Sequence, residues 1–314
     1  MNDAFKGIVA MVGACIIWGL SPLFYKSLAH VPPLEVLSHR TIWSLVFFGC
    51  VLLAQRRLAE ICVLLKNPNA LLMVAFSAVM ISTNWFLFIL SIQIERAVET
   101  SLGYYIFPLV AVLLGMLVFK EKLTRWNWVS VLLATLAVAV LTFGVGTAPW
   151  ISLAIAATFG LYGVVKKQTV AGPVVSVTAE VLVLAPLALF WLLGVHYLGF
   201  VGLIDRPGGV FGQDAKVSFL LMLSGPITAG PLILFSYASR RITMASLGLV
   251  QYLNPTLQFI CAVFVFGEPF TTWHAIAFPL IWMALAIYSL QALRQERTTR
   301  KTSAKSSTSA TTVT

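Results

Sequence analysis

YIFPLVAVLLGMLVFKEKLTRW at residues 105–126 and YLNPTLQFICAVFVFGEPFTTW at residues 252–273 are two copies of one segment. Tyr, Pro, Phe, Glu, Thr and Trp recur at a constant offset of 147 residues, with thirteen residues from Pro to Glu and five more to Trp. Each copy is an apolar run that ends in a polar turn. Two related apolar halves are a common layout among membrane proteins that move solutes. The repeat therefore predicts a membrane protein built from two copies of one unit.

The composition supports this prediction. Hydrophobic residues make up 59% of the chain and charged residues only 10%, whereas a soluble protein carries roughly 25% charged residues. Spans of about 20 apolar residues cross a bilayer, and they must be helical because lipid offers no partner to backbone polar groups. Their length and lack of alternation argue against β-barrel strands. The stretches without Lys, Arg, Asp or Glu are 7–25, 67–94, 100–119, 126–165, 181–204, 217–239, 242–267 and 269–293.

These stretches predict an all-α integral membrane protein with ten transmembrane helices. The uncharged run 126–165 is too long for one helix, and the segment GVGTAP at 144–149 divides it, since Gly and Pro interrupt helices. Ten helices of about 20 residues leave no room for a soluble domain. The predicted spans are 7–26, 35–54, 71–92, 98–119, 127–143, 150–166, 175–195, 217–236, 244–266 and 274–292.

The basic residues predict the orientation of these spans. With both termini in the cytoplasm, the inside segments hold sixteen Lys and Arg, the outside loops hold four, and Arg40 falls within a span. Cytoplasmic loops are enriched in Lys and Arg, so the count favours ten spans. Nine or eleven spans would put one terminus outside and would lose the alternation of basic inside segments with outside loops that are poor in Lys and Arg.

Five spans per half also make the second half start from the opposite side of the membrane. We therefore expect an inverted repeat, with a first five-helix unit at 1–143 and a second at 150–293, related by a pseudo-two-fold axis in the membrane plane. Trp18-Gly19-Leu20 and Phe159-Gly160-Leu161 match at an offset of 141. Residues 294–314 are rich in Ser, Thr and Lys and predict a disordered basic cytoplasmic tail beside anionic lipid.

Other classes of function have little support in the sequence. The net charge of +10 resides in loops and the tail, as topology demands, and does not predict nucleic-acid binding. The four cysteines share no metal-ligand spacing and are expected to be small hydrophobic residues, not ligands or disulfides. The chain lacks the motifs of a P-loop, a zinc protease and a serine hydrolase, so no cofactor and no enzyme activity is expected. A membrane receptor or assembly factor is the alternative, with the outside loop 196–216 as its only recognition surface.

Seven motifs occur in order over about residues 5–293: Lys6-Gly7-Ile8, Trp18-Gly19-Leu20-Ser21-Pro22, Glu35 to Ser44 (EVLSHRTIWS), Asn84-Trp85, Ser101 to Leu109 (SLGYYIFPL), Gly225 to Leu232 (GPITAGPL) and Gln251 to Thr256 (QYLNPT). Together they resemble the RarD-type permeases of the EamA family, in the drug/metabolite transporter superfamily. One position departs from the pattern: Phe107 stands where Asn is expected in Tyr-x-Asn-Pro, whereas the second copy keeps Asn254.

The resemblance implies a bacterial inner-membrane permease that moves a small organic metabolite or drug by alternating access. Its implied partners are a small-molecule substrate and the lipid bilayer. The cargo, the direction of transport and the coupling ion stay open, and so does a homodimer.

Polar and aromatic side chains inside the spans are the candidate site, because burying them in hydrocarbon is costly without a function or a partner. His39 and Arg40 lie about 9 Å into the second span, where Arg40 can bind an anionic group or extend to the interface. Aromatic side chains can stack on a planar substrate, or form interfacial belts. The candidate cavity-lining residues are Trp18, His39, Arg40, Asn84, Trp85, Tyr104, Gln251 and Asn254.

Three further positions have candidate roles in the transport cycle. Glu180 aligns with His39 at the offset of 141 and is the candidate proton carrier, with an ion pair to Lys166 or Lys167 as the alternative. Pro108 and Pro255 each free a backbone carbonyl and are candidate helix kinks. The repeated carboxylates Glu121 and Glu268 are expected to end helices and form loop contacts.

Overall fold

The computed structural model describes residues 3–120, 123–169, 171–202, 206, 208–242 and 244–310. These residues form helices joined by short connections and contain no strand. The helices are α1 (Asp3–Ser27), α2 (Pro33–Ala54), α3 (Leu58–Lys66), α4 (Pro68–Gln93), α5 (Ala97–Phe119), α6 (Arg125–Val145), α7 (Trp150–Gln168), α8 (Pro173–Tyr197), α9 (Ala215–Ser239), α10 (Met244–Gln251), α11 (Leu253–Ile260), a π-helical turn (Cys261–Val265) and α12 (Thr272–Ala310).

Nine segments of the described chain are helical, long and apolar enough to cross a membrane. They are α1, α2, α4, α5, α6, α8, α9, residues 246–265 of the α10–α11 segment, and residues 272–291 of α12. The helix predicted as the sixth span, α7, has 19 residues and carries two lysines in its last turn. It lies outside this set of nine. The fold is therefore a multi-helix membrane bundle.

Local sequence explains where several helices begin. The side chain of Asn67 accepts hydrogen bonds from the backbone N–H groups of Asn69 and Ala70 at the start of α4. Thr124 and Asp214 cap α6 and α9 in the same manner. Proline occupies the first turn of α2, α4 and α8, where its missing N–H would have no helical partner.

Two connections differ from the sequence prediction. A short helix, α3, follows α2, and Ile61 on α3 packs with Leu52 and Val175 from α2 and α8. The predicted outside loop 196–216 is shortened because α8 extends to Tyr197. The described part of this loop is held against α2, where Glu35 accepts hydrogen bonds from the N–H groups of Gly209 and Val210.

The bundle is held together by helix pairs that join the two halves of the chain. The strongest pairs are α5 with α7, α6 with α12, α2 with α8 and α9, α1 with α9 and α11, α4 with α7, and α5 with α11. The largest buried cluster draws residues from both halves, including Tyr105 on α5 and Phe278 on α12. Since all eight of these pairs cross between the halves, neither half buries its helices alone.

The two copies of the repeated segment fold differently. The first copy lies in α5, which is one helix of 23 residues with Pro108 inside it. The second copy is divided at Tyr252 into α10 and α11 and then becomes the π-helical turn. Proline has no N–H to donate to the carbonyl four residues earlier. The helical hydrogen bond from residue 255 to the carbonyl of Gln251 is therefore missing, next to the point of division.

The last helix runs into the segment for which the sequence predicts a disordered tail. The structure continues α12 as helix to Ala310, past the expected boundary at 294, and residues 311–314 lie outside the described residues. This segment is polar but contains Ala, Gln, Glu, Arg and Lys, which all favour helix. The low apolar content that predicted disorder therefore does not exclude a helical extension.

Candidate functional site

Arg40 is the most unusual buried charge of the bundle. It lies on α2, is 6% exposed, and its Nε atom has no hydrogen-bond partner. Its Cζ atom is 4.2 Å from the ring centroid of Trp85 on α4 and 5.5 Å from that of Tyr25 on α1. No carboxylate among the described residues forms an ion pair with it. Aromatic faces are thus its visible partners, each contributing about 0.5–2 kcal/mol.

Asn84, Thr158 and Tyr104 form a polar triad, and Tyr104 also interacts electrostatically with Arg40. Asn84 is 1% exposed and donates from Nδ2 to the carbonyl of Ile155 (3.0 Å) and to Thr158 Oγ1 (3.2 Å). The hydroxyl of Tyr104 donates to Asn84 Oδ1 at 2.9 Å. These bonds tie α4 to α5 and α7, so Asn84 and Tyr104 position the wall of the site next to Arg40.

Tyr25 carries a buried hydroxyl that takes no part in the triad's hydrogen bonds. Its side chain is 2% exposed, and its hydroxyl is buried without a hydrogen-bond partner. Its ring makes an edge contact with Phe88 at 5.6 Å. Arg40 and Tyr25 therefore present two unsatisfied polar groups among aromatic rings. We call this group the Arg40 cage: Tyr25, Arg40, Trp85 and Tyr104, the last of which interacts electrostatically with Arg40 and Tyr25.

His39 faces a different surface from its neighbour Arg40. Its ring stacks on Phe211 at 4.6 Å, and its Nε2 atom is buried without a partner. A cleft of about 300 Å³ lies here between α2 and α8, lined in part by His39, Trp43, His196 and Phe211. The candidate pair His39 and Arg40 is thus divided between this cleft and the cage.

Glu180 lies in a buried ion pair. Its Oε1 atom is 2.5 Å from Lys166 Nζ and accepts a hydrogen bond of 2.5 Å from Ser77 Oγ. Tyr162 donates to Oε2 at 3.3 Å, and Lys166 also donates to Ser176. The carboxylate is 1% exposed. The alternative considered for Glu180, pairing with Lys166, is the arrangement that the structure has.

The candidates of the second half lie along α1, α10 and α11. Asn254 accepts a hydrogen bond from Gln258 Nε2 at 2.9 Å, one turn further along α11. Gln251 is half-buried at the end of α10. Trp18 on α1 packs on Phe235 of α9 with 6.3 Å between ring centroids. These three side chains come from α1, α10 and α11, whereas the cage comes from α1, α2, α4 and α5. Only α1 contributes to both groups.

Glu268, in the second copy of the repeated segment, binds the start of α5, the helix that contains most of the first copy. It is 7% exposed and accepts hydrogen bonds from the N–H groups of Ala97 (2.7 Å) and Val98 (2.8 Å), the first two residues of α5. No side chain of α5 itself caps this end. Burial raises the pKa of the Glu268 carboxyl, and the two N–H donors lower it by a smaller amount. The corresponding Glu121 lies outside the described residues.

Sequence reasoning missed Glu35, which holds the loop after α8, and Tyr25 as a partner of Arg40. Glu35 is fully buried near the start of α2, and a carboxylate at the start of an apolar span is itself a signal for a buried partner. Tyr25 stood among several aromatic residues with no pattern to distinguish it. Its contact with Arg40 joins α1 to α2, and only the packed structure shows it.

Comparisons with known proteins agree with this architecture. The EamA-like transporter family matches residues 5–143. The RarD protein of Streptomyces exfoliatus is 41% identical over 95% of this chain and 93% of its own length. The RarD protein of Escherichia coli (strain K12) is 35% identical over 94% of this chain and 98% of its own. A transporter named YojE from Bacillus subtilis (strain 168) is 37% identical over 94% and 97%.

A solved structure shares the fold at low identity. Described only as "Crystal structure of protein", it superposes with a TM-score of 0.59 at 18% identity, covering 91% of this chain and 98% of that chain. With the apolar helices and the named relatives, the chain is a multi-pass transporter of the bacterial inner membrane. At 35–41% identity over nearly the full length of RarD proteins, it belongs to the EamA-like transporter family as a RarD-type permease.

Proposed function

We propose that this chain is a secondary transporter with ten spans, in which two inverted five-helix repeats expose a central site alternately to each side of the membrane. The cargo is a small organic molecule. In this proposal α7 is the sixth span, both termini are cytoplasmic, and α3 lies at the inner side.

The observation that carries the proposal is the pairing of helices. Pairing each first-half span with the span five places later matches α1 with α7, α2 with α8, α4 with α9, α5 with α10–α11, and α6 with α12. This exchange converts the pair α1–α11 into α7–α5, α1–α9 into α7–α4, and α2–α9 into α8–α4, all of which occur. The pairs α2–α8, α5–α11 and α6–α12 map onto themselves. A pseudo-two-fold axis predicts this pattern.

The same exchange holds at the level of single residues. A Cβ atom placed on Gly19 of α1 would lie 2.6 Å from Leu257 Cβ on α11. One placed on Gly160 of α7 would lie 3.2 Å from Val110 Cγ1 on α5. Gly160 is Gly19 plus 141, and Leu257 is Val110 plus 147. Two close helix crossings therefore occupy equivalent places in the two repeats, which supports a common origin and an inverted arrangement.

Glu268 gives the alternating cycle a structural element to act on. In the proposed topology Glu268 closes the outer side, because it joins the connection before α12 to the start of α5. An opening at this side must break its two hydrogen bonds. The alternative, a receptor or assembly factor, has less support, because Glu35 holds the described part of the loop after α8 and leaves it little freedom as a recognition surface.

Transport is tested with purified protein reconstituted in liposomes and a panel of amino acids, nucleosides, aromatic acids and chloramphenicol. We expect saturable flux of at least one compound, inhibited by the same compound unlabelled. Protein-free liposomes are the control. Absence of saturable flux across the panel, with correctly inserted protein, would contradict the proposal.

Proton coupling is proposed to depend on Glu180. The Glu180→Gln variant leaves Lys166 without its charged partner, so the double variant Glu180→Gln/Lys166→Gln, which removes both charges, is compared with it. Glu60→Gln, which alters an exposed ion pair with Arg57, is the matched control. We expect the double variant to keep downhill flux and lose uphill flux driven by a pH gradient. Unchanged uphill flux would exclude Glu180 as the proton carrier.

A further inference from the structure

The charge of Arg40 has no counter-ion in the described structure. An arginine keeps its positive charge in proteins, and an unpaired buried charge costs several kcal/mol. Three buried carboxylates have other partners: Glu35 binds the loop after α8, Glu180 binds Lys166, and Glu268 binds the start of α5. The half-buried Glu99 binds Arg96. The contacts with Trp85 and Tyr25 recover only part of this cost.

The groups around Arg40 define the ligand that would complete it. A guanidinium binds the two oxygens of a carboxylate with parallel N–H···O bonds, and the buried hydroxyl of Tyr25 can donate one more. No second cation lies in the cage, so a group with a single negative charge balances it and a phosphate dianion does not. The described residues of the cage also offer no carboxylate to bind an ammonium group.

The walls of the cage select the remainder of the ligand. Trp85, Tyr25 and Tyr104 come from three different helices, and Tyr25 and Tyr104 pack against Phe88, with Phe159 against Tyr104. Asn84 is already saturated by Ile155, Thr158 and Tyr104, so it holds Tyr104 in place and has no free donor for cargo. Flat apolar groups stack well on such walls.

We propose that the Arg40 cage is a binding site for small aromatic monocarboxylates, whose carboxylate contacts Arg40 and the Tyr25 hydroxyl and whose ring lies against Trp85 and Tyr104. The inference rests on the proposed function, because it names the class of cargo at that transporter's site. It distinguishes anionic cargo from the zwitterionic, cationic and neutral compounds that a transporter of this architecture could equally carry.

The test is a binding measurement on purified full-length protein in detergent, so that it does not depend on transport. Three compounds with one ring and different charge are titrated by calorimetry: 3-phenylpropionate (anion), phenylalanine (zwitterion) and phenethylamine (cation). We expect the anion to bind at least about tenfold more tightly than the other two, since each factor of ten requires only about 1.4 kcal/mol. Equal affinity for all three, or no binding of the anion, would overturn the proposal.

Variants locate the binding. Arg40→Gln should weaken 3-phenylpropionate binding at least about tenfold, and Tyr25→Phe, which removes one hydroxyl, by about fivefold. The matched control Arg57→Gln, at a surface arginine paired with Glu60, should bind as the unmodified protein does. Unchanged binding in Arg40→Gln would overturn the site. If Arg40→Gln does not fold, the charge series and Tyr25→Phe decide the question.

Flux of the same compounds separates the two proposals. Binding that depends on Arg40, without flux in liposomes, leaves the site standing and contradicts the transporter proposal. Saturable flux of another compound, together with absence of 3-phenylpropionate binding, supports the transporter proposal and contradicts the proposed site.

Discussion

The helix α5 and the segment α10–α11 have one sequence motif and two structures. Both contain Tyr and, three residues later, Pro, and both end at a residue with left-handed backbone, Lys120 (φ 55°) and Gly267 (φ 68°). Yet α5 is continuous through Pro108, whereas the second copy is divided at Tyr252 and closes with a π-helical turn. The local signal for a break is present in both, so tertiary contacts decide between them.

Those contacts differ on either side of the proline. In α5, Gly103 packs against the carbonyl of Ser152, and the next residue, Tyr104, bonds to Asn84. Ser152 also bonds to the carbonyl of Glu99. At the positions matching Gly103 and Tyr104, the second copy has Val250 and Gln251, and Gln251 makes no such bond among the described residues. We propose that α5 is the fixed helix of the pair and that α10–α11 is the one that changes shape during transport.

The largest expected effect concerns Glu268, which fixes the start of α5. Glu268→Ala leaves the N–H groups of Ala97 and Val98 without acceptors, and hydrogen bonds to charged groups contribute about 1.5–3 kcal/mol each. We therefore expect a loss of about 3 kcal/mol in the free energy of unfolding, measured by SDS titration in mixed micelles. Glu268→Gln keeps a carbonyl acceptor and is expected to lose less. Equal stability of the alanine variant and the unmodified protein would show that this cap is not needed.

The same residue predicts a pH dependence. Because burial raises the pKa of Glu268 in the folded protein, the folded state takes up a proton before the unfolded state as the pH falls. The stability contributed by this group should therefore increase on acidification through the raised pKa and decrease as the pH rises. We expect this component in the unmodified protein and its absence in Glu268→Gln, measured over a pH series in the same micelles.

An intermediate effect is expected at the two equivalent glycines. Gly19→Ala would bring a Cβ atom to 2.6 Å from Leu257 Cβ, next to the divided helix. Gly160→Ala would meet the tip of Leu114, at 2.8 Å, which can rotate away. Overpacking costs about 1–3 kcal/mol, so we expect a loss of about 2 kcal/mol for Gly19→Ala and about 1 kcal/mol for Gly160→Ala. The reverse order would contradict the packing described for the two crossings.

The smallest expected effect on stability comes from replacing the two prolines, Pro108 and Pro255, with alanine. Pro108 lies inside α5, where proline costs up to about 3 kcal/mol relative to alanine, and a membrane bundle recovers part of this through neighbouring groups. We expect Pro108→Ala to stabilise the protein by about 1 kcal/mol, and Pro255→Ala, in the first turn of α11, to change stability by less. Pro255→Ala should instead slow transport, because it allows the divided helix to close. A larger stability gain from Pro255→Ala would contradict the comparison.

Much of the fold follows from the sequence because hydrophobicity and charge act locally. Runs without charged residues predicted nine of the helices that are apolar enough to span, within a few residues at each end. The short helix α3 was not predicted, because its nine residues are mostly apolar but are far too few to cross a bilayer. The tail was predicted as disordered from its polarity, although its residues also favour helix.

The site was predicted less completely. Arg40, Trp85 and Tyr104 were identified one by one as polar or aromatic residues within spans, but their meeting with Tyr25 depends on how α1, α2, α4 and α5 pack. His39 was paired with Arg40 by adjacency, yet neighbouring residues on a helix point about 100° apart, and His39 faces Phe211 instead. Sequence gives the chemistry of single side chains, whereas packing decides which of them meet in one site.

The central claim is that the two copies of the repeat point in opposite directions across the membrane. Its most direct test places single cysteines at the equivalent exposed positions Arg125 and Thr272, 147 residues apart, in a chain whose four native cysteines are replaced. A membrane-impermeant maleimide is added to intact cells and, separately, to inverted membrane vesicles. We predict that Thr272→Cys reacts only in intact cells and Arg125→Cys only in inverted vesicles. Labelling of both from the same side would contradict the inverted repeat.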